Sequence, residues 1–145
     1  MIWLRYACVF VVTALGTGVL VSVLKQNVTS GIGSSAQLMV PAMIAAVIEG
    51  QRWAKTQKVK PNSGQVWGFA WIAAALATGL NVVLAYGAGA ILPEFAKLAI
   101  APALSKQFLI LLGIYAGGYL ICNWFFYNLG AGNQLTLMQD RDKSK

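Results

Sequence analysis

Trp67-Gly68-Phe69-Ala70-Trp71-Ile72-Ala73-Ala74-Ala75-Leu76-Ala77-Thr78-Gly79-Leu80-Asn81-Val82-Val83-Leu84-Ala85 contains no charged side chain, and it lies inside a longer charge-free run from Pro61 to Pro93. At 1.5 Å per residue, a helix of roughly 20 such residues crosses the ~30 Å hydrocarbon core of a bilayer. Three more charge-free runs extend from Tyr6 to Leu24, from Gln26 to Ile48 and from Gln107 to Gln139. The expected fold is therefore an all-α integral membrane protein, a four-helix transmembrane bundle. Its helices are expected at about residues 3–24, 34–52, 65–90 and 107–129.

Composition supports the same class. The chain has 145 residues, 58% of them hydrophobic and 10% charged. A soluble domain carries roughly 25% charged residues, so this charged set is too small to coat a water-facing globule. Four spans with short connections use nearly the whole length, which leaves a single transmembrane domain over residues 1–145.

The net charge of +7 could point to nucleic acid, but the placement of the charges argues against that partner. Alternating the sides of a four-span chain puts eight basic residues with the termini and three on the other face. The positive-inside bias then places both termini and the loop carrying Arg52, Lys55, Lys58 and Lys60 in the cytoplasm. The same loop attracts anionic headgroups at the cytoplasmic face. Tyr6 to Leu24 exceeds the 7–15 residues of a signal-peptide core and reads as a retained first span. The location expected is the bacterial cytoplasmic (inner) membrane, multi-pass.

Local signals refine the elements. Trp3 and Tyr6, Trp67 to Trp71, and Trp124 to Tyr127 form belts at one interface. Ser34 or Ser35 can cap the second helix, and Asn62 with Gln65 forms a capping-box pattern opening the third. Pro93 to Ser105, with Glu94, Lys97 and Pro102, reads as a short external amphipathic segment between helices three and four. Gly130, Gly132 and Asn133 are expected to loosen the chain into a cytoplasmic tail over 130–145.

Catalytic chemistry finds little support. The chain has no His and only four acids, Glu49, Glu94, Asp140 and Asp142, all expected at or beyond the membrane boundaries. Cys8 and Cys122 without His make no zinc site. No catalytic residue, metal or cofactor is expected. Asn81 and Asn123 are the candidate intramembrane polar contacts, because an amide in hydrocarbon must find a partner. They serve as glue between helices or, less simply, line a binding spot or path. Gly113 and Gly117 form a GxxxG face for close packing, within the monomer or in a homo-oligomer. Glu49, Arg52, Trp53 and Lys55 form the candidate interaction surface. Glu49 and Arg52, three apart, can pair, while Trp53 anchors the interface. The same cluster could dock a membrane-protein partner or anionic lipid.

Pro41-Ala42-Met43, Ala45-Ala46 and Glu49-Gly50-Gln51-Arg52-Trp53-Ala54, with the tail Phe126 to Gln134, resemble a family of small uncharacterised bacterial inner-membrane proteins with four helices. That resemblance implies a fold and a location and no catalytic residue. The function expected is non-enzymatic, an interaction or membrane-integrity role such as toxin immunity. The alternative is a small oligomeric transporter or channel subunit with a path past Asn81 and Asn123.

Overall fold

Four helices account for the charge-free runs: α1 (Ile2–Asn27), α2 (Ser34–Gln57), α3 (Ser63–Gly87) and α4 (Lys106–Lys143). The computed structural model describes residues 1–27, 34–89 and 102–143, with the side chains of 24–27 and 34–37 excepted. The described residues contain no strand. The caps expected from Ser34 or Ser35 and most of the expected external segment from Pro93 lie outside the described set.

Helix boundaries follow local chemistry. The Asn62 side chain accepts from the Gln65 amide at 2.8 Å, and Gln65 Oε1 accepts from the Asn62 amide at 2.9 Å. This is the expected capping box, and it satisfies two otherwise orphaned donors. α2 stops where Lys58 adopts a left-handed φ of 56° and its amide donates to the Ala54 carbonyl at 2.9 Å. α4 opens after a turn in which Ser105 N–H donates to the Pro102 carbonyl. The Ser105 hydroxyl then accepts from the Phe108 amide at 3.1 Å, an N-cap.

The tail is a correction. Residues from Gly130 onward were expected to leave the helix, yet α4 continues through Gly130 and Gly132 to Lys143. Glycine costs ~1 kcal/mol relative to alanine inside a helix. Here that cost is offset by packing: a Cβ on Gly130 would lie 2.3 Å from the Val47 carbonyl oxygen of α2. On the facing helix, a Cβ on Gly50 would lie 2.1 Å from the Tyr127 carbonyl oxygen. The two glycines let the backbones of α2 and α4 touch, and only glycine fits at either position.

Three described helices, α1, α3 and α4, are long and apolar enough to cross a membrane. α2 is not among them; it carries Gln37, Pro41, Glu49 and Arg52 along its length. Packing shelters Pro41 and Glu49, while Arg52 stays exposed. α2 meets α1, α3 and α4, most extensively α4, and Ile44 is its one exposed large apolar side chain among the described residues. By contrast Leu4, Val12, Trp71, Val83, Ile114 and Ile121 stand exposed on the other three helices. So much contiguous apolar surface suits an apolar solvent. The core is built from small residues, among them Ala42, Ala45, Ala46, Ala70, Ala73 and Ala77, which brings helices close.

Contacts between helices also set their directions. Trp3 of α1 stacks on Phe69 of α3 at 5.7 Å, and Phe69 stacks on Tyr127 of α4 at 4.1 Å. Glu49, late in α2, reaches Arg5, early in α1. The start of α1, the end of α2, the start of α3 and the second half of α4 therefore share one end of the bundle.

Candidate functional site

At that shared end the four helices enclose a pocket of about 250 Å³. Arg5 comes from α1; Glu49, Arg52 and Trp53 from α2; Phe69 and Tyr127 supply an aromatic floor from α3 and α4. The close approach of Gly50 to Tyr127 fixes the distance between the α2 and α4 walls.

Glu49 is the centre of the site. Its side chain is only 4% exposed, and Oε2 accepts from Arg5 Nη2 at 3.3 Å. The expected partner, Arg52, is thus replaced by a residue on another helix. Residues three apart can share a helix face, but Glu49 turns inward toward α1 while Arg52 stays exposed. The surrounding helices bury Glu49 at this end of the bundle.

The remaining polar atoms of this end are unusual. Glu49 Oε1, Arg5 Nε and Trp53 Nε1 are all buried and have no hydrogen-bond partner among the described residues. A buried polar atom left in that state costs ~1–3 kcal/mol, and more when charged. One acceptor and two donors, on three residues that line the same pocket, thus have their hydrogen bonds unmade. Such a constellation is suited to a polar ligand group. Arg52, exposed on the rim, adds a second guanidinium.

Of the four residues of the expected interaction surface, Glu49, Arg52 and Trp53 line the pocket, whereas Lys55 is exposed and lies off it. Arg5, Phe69 and Tyr127 were missed. Arg5 had one legible signal: in an even-span bundle it is the basic residue of α1 on the same side as Glu49.

Asn81 and Asn123 do not line that pocket: Asn123 lies one turn before Tyr127 on α4, and Asn81 lies deeper in the bundle. Asn123 Oδ1 accepts from the Tyr6 hydroxyl at 2.7 Å, and its Nδ2 donates to the Tyr119 carbonyl at 2.8 Å. The Tyr119 hydroxyl in turn donates at 3.1 Å to the Leu38 carbonyl, on the turn before Pro41. The network links α1, α4 and α2, as helix glue does. Asn81 is 2% exposed and its Nδ2 has no partner among the described residues. The void beside it measures about 10 Å³, the size of a single water.

Gly113 and Gly117 make no close helix contact: an added Cβ on either would meet nothing within 4 Å. Gly117 instead borders a shallow groove with Ala74, Ala75 and Thr78 of α3. Cys8 and Cys122 are free, and no metal-binding cluster occurs among the described residues. No family model, curated protein or solved structure matches the chain, so the comparisons leave the family resemblance untouched.

Proposed function

We propose that this is a four-span protein of the bacterial cytoplasmic membrane, with both termini in the cytoplasm, that acts by binding and not by catalysis. Its work is done in the pocket of Arg5, Glu49, Arg52 and Trp53, which this topology places at the cytoplasmic leaflet. The cellular role is interaction or membrane integrity, with protection against a membrane-directed toxin as the concrete form. The single observation that supports the reading is that three residues with buried, unpartnered polar atoms, Arg5, Glu49 and Trp53, line one pocket. α2 counts as the fourth span because it packs against all three other helices and buries Glu49. The basic bias of 52–60 supplies the sidedness.

The test is complementation of a deletion strain under membrane-toxin challenge, at matched membrane levels. Wild type and Asn81→Leu restore growth, and Glu49→Gln does not. Rescue by Glu49→Gln with failure of Asn81→Leu would favour the transport reading. A deletion without any defect under challenge counts against the role itself.

A further inference from the structure

We propose that the pocket at the Arg5 end holds the headgroup of a phospholipid bearing a primary ammonium, the phosphoethanolamine type, drawn from the adjoining leaflet. This rests on the binding reading above and adds the ligand's chemistry. A ligand for the site has to satisfy charges of both signs. Glu49 keeps one carboxylate oxygen without a donor, though the other already binds Arg5. A cation or hydrogen-bond donor brought against that oxygen would meet the need. Meanwhile Arg5 Nε and Trp53 Nε1 require an acceptor, and the exposed Arg52 guanidinium lines the same pocket. Guanidinium and indole N–H groups fit the oxygens of a phosphate.

A purely anionic headgroup would leave Glu49 Oε1 without its partner and add repulsion. A quaternary ammonium carries no N–H, so it supplies charge but no hydrogen bond. Phosphoethanolamine meets both demands, with its ammonium on Glu49 and its phosphate on Arg52, Arg5 and Trp53. Space is available: the pocket of about 250 Å³ is far larger than one water needs, and the headgroup has about eight heavy atoms. Acyl chains have an exit beside Ile2, an exposed apolar side chain that lines the pocket.

The experiment reconstitutes the full chain in bilayers of equal phosphatidylethanolamine, phosphatidylcholine and phosphatidylglycerol, then counts co-released lipids by native mass spectrometry. Wild type retains phosphatidylethanolamine over phosphatidylcholine by about ten-fold or more, the scale of one charge-assisted hydrogen bond. Glu49→Gln brings that ratio close to one. Arg52→Gln lowers retention of both lipids and leaves their ratio unchanged, since both carry the phosphate. Lys55→Gln, off the pocket, behaves as wild type. Should Glu49→Gln fail to fold by circular dichroism and elution, the Arg52→Gln arm decides. Equal retention of the two lipids by wild type overturns the assignment. So does a preference that survives in folded Glu49→Gln, or in its place Arg52→Gln retention matching wild type. Displacement of the lipid by soluble O-phosphoethanolamine at equal concentration would overturn the lipid source. In each of those cases, a growth defect of Glu49→Gln under challenge would leave the binding reading intact, so the two failures are distinguishable.

Discussion

The hydrogen-bonded network around Asn123 and the pocket beside Arg5 both hold buried polar side chains, and they treat them in opposite ways. In the network, Tyr6, Asn123 and Tyr119 pass hydrogen bonds from α1 to α4 to α2. At the pocket, a carboxylate, a guanidinium and an indole keep buried atoms unpartnered beside a cavity of about 250 Å³. The first arrangement spends its polar groups on cohesion. The second leaves them unsatisfied beside a space that a ligand can enter. A polar residue in a membrane protein is therefore better judged by which of its bonds are unmade than by its depth.

The comparison breaks most severely where the pocket's frame is set. Gly50→Val or Gly130→Leu forces a side chain into facing backbone, and should cost about 3 kcal/mol or more, read as lost folded yield and early denaturation in micelles. Gly113→Ala and Gly117→Ala, with open space at each Cβ, should instead stabilise the helix by about 0.5–1 kcal/mol.

Next comes the ion pair. Arg5→Leu leaves a buried carboxylate unpaired and should cost about 1–3 kcal/mol, the lower part being expected because Arg5 is 41% exposed. Pairing it with Glu49→Leu should recover much of the loss, because the double variant buries no orphan charge. A double-mutant cycle on unfolding free energy measures this, and strict additivity would deny the contact. Tyr6→Phe removes the donor to Asn123 and should cost about 0.6–2 kcal/mol without changing lipid selectivity. The smallest effect is a gain: Lys58→Gly relieves a left-handed φ at the end of α2 and should stabilise by about 0.5–1 kcal/mol.

Much of the architecture could be read from local pattern. Charge-free length located four helices, and Asn62 with Gln65 marked the start of α3 because a capping box is a contact within four residues. What escaped was set across the chain. Glu49 was matched with Arg52 since spacing along one helix is visible, whereas its partner Arg5 lies 44 positions away. The GxxxG at Gly113 and Gly117 marks a face of small residues but carries no information on which way that face turns. Gly130, preceding Gly132 and Asn133, looked like a helix breaker, because its reason for being glycine belongs to Val47 on another helix. Asn123 was recognised as glue from its type alone, although Tyr6 as its donor was not.

The most direct test places isotopes on the two groups that should meet. With Glu49 carrying ¹³C at its carboxyl and ethanolamine carrying ¹⁵N, solid-state NMR of the full chain in bilayers measures their dipolar coupling. The account predicts a resolved coupling between the Glu49 carboxyl and the lipid ammonium in wild type, lost in Glu49→Gln. A Glu49 carboxyl that couples to the Arg5 guanidinium and never to lipid nitrogen would contradict it.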